Sequence, residues 1–339
     1  MNMSDKNRLA KQGVEFSVRC MVLLFAFFSF YGCEAPHLNP LDPENPENHY
    51  HWLTGQIRTF SVPRVPLKNV SVIWPVQEIY ALSDTGGFYS IETTGAQDDW
   101  IFFDKPGYFS DSAFVAWENQ KSIYIDVFLN ARPSLDSIKL YTTVLHRYPS
   151  LQTEQTVLEL MITDPDNDID TVEALIPVTL KPLAIPYHTT LKLYTRTFSV
   201  FELEVERLDN LVGYPFYLSV RDQFDHVSIF ELGAITRVIG DEVHFRAPSG
   251  NEITSPNPTL SWDKFNPGFE FTFTLEIYTA ELTPLLQWRK EQIGMSISSW
   301  MVETPLPEGP YYWVIWAVDS FGNRTRSKPA SFTVEAVAD

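Results

Sequence analysis

An all-β chain of three tandem β-sandwich domains, set behind an apolar leader and a proline-rich linker, is the fold class this sequence predicts. Three observations point to it. Short apolar runs are separated throughout by Pro, Gly, Asn and Asp punctuation, the pattern of strands joined by turns. Aromatic residues are abundant, with 24 Phe, 15 Tyr and 9 Trp, as strand interiors prefer. The stretch Phe269-Glu-Phe271-Thr-Phe273-Thr-Leu275-Glu-Ile277 alternates apolar and polar residues, which predicts a strand buried on one face only. At 339 residues the chain has room for two or three domains. The expected division is a leader over 1–32, a linker over 33–50, and sandwiches over 51–132, 133–239 and 240–339.

The leader has the parts of an export signal. Lys6, Arg8, Lys11 and Arg19 precede a 12-residue apolar run, Met21 to Gly32, which is too short to span a bilayer core of about 20 apolar residues. It ends Phe30-Tyr31-Gly32-Cys33, and the sequence then turns polar and proline-rich. This junction resembles a bacterial lipoprotein lipobox in Gly32 and Cys33, with Phe30 and Tyr31 standing where that family usually has Leu and a small residue. The resemblance implies cleavage before Cys33, a lipid on its sulfur and a membrane-anchored place in a bacterial cell envelope, at the outer membrane or cell surface. Cys20 falls in the discarded part, so the mature chain would hold no disulfide and no free thiol. Several acyl chains give stable anchoring where one does not.

Taking the leader's four basic and two acidic residues from totals of 25 and 43 leaves 21 and 41, a net charge of −20 for the mature chain. Such a charge argues against nucleic acid as a partner and against docking on anionic lipid through the protein surface. The linker offers no apolar face, because Pro36, Pro40, Pro43 and Pro46 alternate with Asn, Asp and Glu. An extended, mobile stalk of about 3 Å per residue is expected. His37, His49 and His51 lie in it or just after it and read as solvated side chains rather than metal ligands, for no third ligand is fixed nearby.

In the first sandwich Val70 and Val72 alternate on one strand face, Asp84-Thr-Gly86-Gly87 makes a tight hairpin turn, and Tyr89 and Ile91 return to the same core. With Leu53-Thr-Gly55 before them and Lys105-Pro-Gly107-Tyr108 after, these segments resemble the carboxypeptidase regulatory-like domain, a small transthyretin-like sandwich. That resemblance implies a scaffold module without a catalytic centre.

The second sandwich begins with strand Ser137 to Val144 and continues through a loop bearing Asp164, Asp166, Asp168 and Asp170. Carboxylates at alternating positions suit a hard cation, so calcium is the one cofactor the sequence suggests. The loop lacks the EF-hand glycine and distal glutamate, and Asp-Pro followed by a polar turn also suits a plain hairpin.

Leu306-Pro-Glu-Gly309-Pro-Tyr311-Tyr-Trp313 through Asp319-Ser-Phe321-Gly322-Asn resembles the late-strand signature of bacterial fibronectin type III domains, and implies an immunoglobulin-like sandwich. The second sandwich carries a related string ending Asp222-Gln-Phe224. Anchoring both on Asp-x-Phe aligns Phe216, Leu218 and Val220 with Trp313, Ile315 and Ala317 as inward residues. The opposite face carries Tyr312, Val314, Trp316 and Val318, which predicts either a cover from the neighbouring domain or a binding patch.

No Gly-x-Ser-x-Gly elbow, phosphate-cradling loop or His-Glu-x-x-His motif is present. The acidic pairs Asp98/Asp99 and Glu202/Glu204 read as solvated residues in a turn and on one strand face, so no catalytic residue is assigned. The sequence thus predicts a non-enzymatic envelope lipoprotein whose sandwiches bind or assemble. A second reading is a glycan-binding accessory lipoprotein of a polysaccharide-handling system, stacking sugars on exposed Trp100, Trp117, Trp288 or Trp300. Expected partners are the membrane through the lipid and envelope proteins or glycans.

Overall fold

The computed structural model describes Asn45 and residues 50–95, 97–179 and 181–335. The leader, Cys33, His37 and His49 lie outside the described residues. The described chain is all-β, with a single 3-10 turn at Leu208–Leu211 as its one helical element. No helix among the described residues is long and apolar enough to cross a membrane. Two compact units result. One runs to Ile57 and includes Pro66–Phe103 and Ser112–Val127; the other holds Arg58–Val65, Asp104–Asp111 and the chain from Phe128 onward.

The first eight strands are β1 (His51–Thr59), β2 (Ser71–Trp74), β3 (Ile79–Leu82), β4 (Phe88–Thr93), β5 (Asp99–Asp104), β6 (Asp111–Val115), β7 (Ser122–Tyr124) and β8 (Val127–Leu129), and the first unit takes β2, β3, β4 and β7 whole, β1 up to Ile57, β5 up to Phe103, β6 from Ser112 and Val127 of β8. They make two four-stranded sheets, β4-β1-β7 with β8 also on β1, and β3-β2-β5-β6. Leu53, Ile57, Val70, Val72, Trp74, Tyr89, Ile91, Ile101 and Phe103 are buried between them. Asp84 is the turn residue its context predicts: its Oδ1 accepts the N–H groups of Gly86 and Phe88 at 2.8 and 2.9 Å. Gly87 is required there twice over. Its φ is +76°, and a Cβ would lie 2.4 Å from the Ile57 carbonyl oxygen.

The second unit contains β9 (Ser134–Arg147), β10 (Leu151–Thr163), β11 (Ile169–Leu175), β12 (Leu183–Ala184), β13 (Tyr187–His188), β14 (Leu193–Ser199), β15 (Pro215–Asp222) and β16 (Val227–Ala234). It continues through β17 (Phe245–Ala247), β18 (Glu252–Thr254), β19 (Thr259–Trp262), β20 (Phe271–Thr279), β21 (Leu286–Gly294), β22 (Ser299–Met301), β23 (Gly309–Asp319), β24 (Arg324–Arg326) and β25 (Ala330–Val334). Two hydrophobic cores form. Leu158, Leu160, Val172, Phe198, Phe216 and Leu218 fill one, under the sheet β12-β11-β15-β16. Trp262, Phe273, Leu275, Trp313, Ile315 and Phe332 fill the other, under β17-β19-β22.

One ten-stranded sheet serves both cores, ordered β13-β14-β10-β9-β24-β23-β20-β21, with β25 on β23 and β18 on β25. The join is the parallel pairing of β24 with β9, Arg324 to Thr143, Thr325 to Val144 and Arg326 to Leu145. Strand pairing therefore runs unbroken from one sandwich to the next.

The two related strings fold alike. Phe216, Leu218 and Val220 on β15 and Trp313, Ile315 and Ala317 on β23 are all buried. Asp222 Oδ1 accepts the N–H groups of Phe224 and His226 at 2.8 and 2.9 Å; Asp319 Oδ1 accepts those of Phe321 and Asn323, both at 2.9 Å. The fourth turn residue has positive φ in each, Asp225 at 66° and Gly322 at 89°.

Two local expectations are corrected. Thr274 and Glu276 are buried like their apolar neighbours, Glu276 at 7% exposure, so β20 is covered on both faces. Alternation predicts which face enters the core, but not what the other strands lay over the opposite one. Glu202 and Glu204 lie in the turn after β14, not on a strand face. That turn is closed by Glu202 itself, which accepts the Ser199 N–H at 3.0 Å and pairs with Arg196 at 2.7 Å, while Leu203 is driven into the core.

Candidate functional site

The Asp-rich loop between β10 and β11 divides its carboxylates among different tasks. Asp164 ties down its own loop: Oδ1 accepts the Asp166 N–H at 3.3 Å and Oδ2 the Asp168 N–H at 2.9 Å. Asp166 accepts the backbone N–H of Ala131, and Asp170 is exposed on β11. Asp168 is buried and accepts the Asn130 amide at 3.0 Å; the same amide group donates to Asp222 at 3.0 Å. Burial and the neighbouring Asp164 and Asp222 carboxyls push Asp168 up to about 6. Among the described residues no three His, Cys, Asp or Glu side chains are grouped to hold a metal ion. The loop and the β15–β16 turn both hold Asn130, the residue that directly follows β8.

The face of β23 bearing Tyr312, Val314, Trp316 and Val318 is covered from within its own sheet. Tyr312 stacks on Tyr278 of β20, with centroids 5.4 Å apart and planes at 15°. Trp316 has the guanidinium of Arg324 at 5.0 Å and that of Arg326 at 5.7 Å, and donates its indole N–H to Glu276 at 2.8 Å. Glu276 also accepts the Tyr278 hydroxyl at 2.9 Å and has Arg289 at 3.5 Å; burial and this carboxylate push Tyr278 up to about 12. Val314 is wholly buried beneath the lattice, and the other three are half-buried.

Beyond Val318 the same face opens into a cleft of about 590 Å³, lined among others by Lys139, Tyr141, Glu159, Phe321, Gly322 and Arg324. Arg324 donates to the Tyr141 hydroxyl at 3.4 Å, that hydroxyl donates to Glu159 at 3.2 Å, and Glu159 pairs with Lys139 at 3.2 Å. Burial is the main influence on the Tyr141 phenol and raises it.

In the first unit, the outward face of β3-β2-β5-β6 is aromatic. Trp100 and Phe102 alternate outward on β5 while Ile101 and Phe103 enter the core. Tyr80 and Leu82 of β3 and Phe114 of β6 are exposed as well. Trp100, 49% exposed, meets the Phe114 ring edge-on at 5.5 Å, and Tyr80 and Ser71 share a hydroxyl hydrogen bond of 2.8 Å.

The other candidate tryptophans face elsewhere. Trp117 is 2% exposed and stacks on Trp74 at 6.0 Å, with His51 edge-on to it at 5.1 Å. Trp288 and Trp300 pack partly buried against the last core, and Trp300 donates to Glu303 at 2.9 Å. Asp98 caps a loop by accepting the Trp117 N–H at 2.8 Å. Sequence reasoning singled out Trp100 but missed Tyr80, Leu82, Phe102 and Phe114. The available signal was the run Trp100-Ile-Phe-Phe103, apolar on both faces of a single strand.

No family model matches the chain, and no curated protein matches it. Among solved structures it is similar to a DUF3823 family protein from Bacteroides ovatus, at 8% identity and a TM-score of 0.26, over 55% of this chain and 99% of that one. It is also similar to fibronectin(III)-like modules of CbhA from Clostridium thermocellum, at 11% identity and a TM-score of 0.30, over 60% and 94%. A third likeness is to the FN1–FN3 domains of chicken CNTN1, at 9% identity and a TM-score of 0.31, over 78% and 90%.

Proposed function

We propose that this chain is a non-enzymatic, membrane-anchored envelope lipoprotein that works as a binding scaffold, held by lipid on Cys33 and engaging its partner through the first unit's aromatic sheet face. The observation that carries the reading is the cluster Tyr80, Leu82, Trp100, Phe102 and Phe114, five large side chains left in water on one sheet. A contiguous exposed apolar patch of this kind marks an interaction site rather than a solvated surface. Two measurements test the two halves of the proposal. Cys33→Ser should move the protein from the membrane to the soluble fraction, and unchanged fractionation would sink the anchor. Replacing Trp100 and Phe102 by Ser in the anchored protein should release co-purifying envelope partners, and an unchanged set of partners would sink the face.

A glycan partner is the second reading, favoured by the exposed indole of Trp100, edge-on to the Phe114 ring, on the sheet that also carries the exposed Tyr80. Aromatic faces with nearby hydroxyls suit the apolar side of a sugar ring. Retention on insoluble polysaccharide that is lost in Trp100→Ala would select this reading over a protein partner.

A further inference from the structure

We infer that the cleft beside Val318 is a binding site for an acidic saccharide, with the ligand carboxylate on Arg324 and its hydroxyls on Glu159. The site lies within the second unit and stands or falls separately from the anchor and from the first unit's aromatic face.

The argument starts from Arg324. Its guanidinium lies between the rings of Tyr141 at 4.9 Å and Trp316 at 5.0 Å, and its bonds go to the Thr143 and Tyr141 hydroxyls at 3.2 and 3.4 Å. No carboxylate pairs with it among the described residues, although the chain carries 43 acidic residues against 25 basic ones. Stacking fixes the planar fork in one orientation, so little freedom is lost when it takes a carboxylate. The remaining lining charges are Lys139 and Glu159, already paired with each other. The cleft thus carries one net positive charge on a chain whose net charge is −18, which makes it a local exception that favours an anion.

Glu159 narrows the class of anion. A carboxylate accepts hydrogen bonds and repels like charge, so the part of the ligand facing Glu159 must present donors while the part facing Arg324 is anionic. The two protein groups are separated only by the Tyr141 hydroxyl, through bonds of 3.4 and 3.2 Å. A carboxylate and several hydroxyls at opposite ends of one ring, as in a uronic acid, meet both requirements. Phe321, 57% exposed at the rim, offers the apolar wall against which a sugar ring lies. The volume of about 590 Å³ falls in the range of small-ligand clefts.

The test is calorimetric titration of the full chain, purified in detergent, with a galacturonic acid trimer, a neutral galactose trimer and an acidic peptide, read in parallel by tryptophan fluorescence because Trp316 lies against Arg324. Saturable binding of the acidic trimer is expected, weakened by salt. Arg324→Gln should weaken it about tenfold to a hundredfold, the loss typical of one charge-assisted contact. Phe321→Ala, a rim residue outside both cores, should weaken it severalfold with an unchanged melting temperature, which keeps the test sound if Arg324→Gln unstacks Trp316. Equal binding of the neutral trimer, equal binding of the acidic peptide, undiminished affinity in both variants, or no saturable signal would each overturn the assignment.

Discussion

The side-chain oxygen of Asn323 accepts the backbone N–H of Thr142 at 2.9 Å across 181 residues of sequence, while the Thr142 hydroxyl, 3.2 Å from the same oxygen, donates at 3.0 Å to the Arg237 carbonyl. The Asn323 amide nitrogen meanwhile donates to Thr236 at 2.9 Å and to Asp319 at 3.1 Å. One buried side chain thus connects β9, the β23–β24 turn and the segment leading into the last sandwich. Asn323→Ala leaves the Thr142 N–H and Asp319 without this partner and should destabilise the second unit by about 1–3 kcal/mol. Urea denaturation followed by tryptophan fluorescence checks this, and a change below a few tenths would count against the junction's role.

Gly87→Ala should be among the most damaging single changes in the first unit. The added methyl meets the Ile57 carbonyl oxygen and the backbone must hold φ at +76°. A loss of about 2 kcal/mol or more is expected from strain at such a position. A melting curve of the variant decides it.

The carboxyl of Asp168 makes stability depend on pH in an identifiable direction. Its folded value, about 6, lies above its ordinary value of 3.8. Below 3.8 the group is protonated in both states and affects nothing. As pH rises toward and through 6 the unfolded chain ionises first, so the folded state loses up to about 3 kcal/mol from this group. Asp168→Asn removes that dependence. The stability of the wild type relative to the variant should therefore fall between pH 4 and pH 7 and then level off, as read by denaturant titrations at each pH.

Trp100 and Trp117 should separate stability from recognition. Trp117→Ala empties a fully enclosed site and should cost about 3–5 kcal/mol. Trp100→Ala removes an exposed ring and should change stability by no more than about 0.5 kcal/mol, while abolishing retention by the partner surface. Thermal unfolding and a retention assay on the same two variants give both answers.

The parts of this fold legible in sequence are those decided by neighbours a few residues apart. Asp84 and Gly87 specify a hairpin, and Asp222 and Asp319 specify two equivalent turns, because the groups that satisfy them lie within four positions. The inward sets on β15 and β23 follow from period-two alternation. What escaped reading depends on distant strands. Glu276 looks solvated until Trp316, forty residues away, brings its indole N–H to the carboxylate. Trp100 and Phe102 cannot be told from Ile101 and Phe103 as inner or outer, since a strand apolar on both faces carries no alternation. The cleft at Arg324 needs β9 and β24 side by side, a pairing that no local pattern records.

That parallel pairing also governs what a shortened chain would do. A product ending before Arg324 keeps all of β9 and β10 but leaves β9 bare along Thr143, Val144 and Leu145. Bare strand edges recruit other strands. The same cut takes Ala330, Phe332 and Val334 of β25 out of the last core, so such a fragment should self-associate both through an opened core and through a bare strand more than 170 residues upstream.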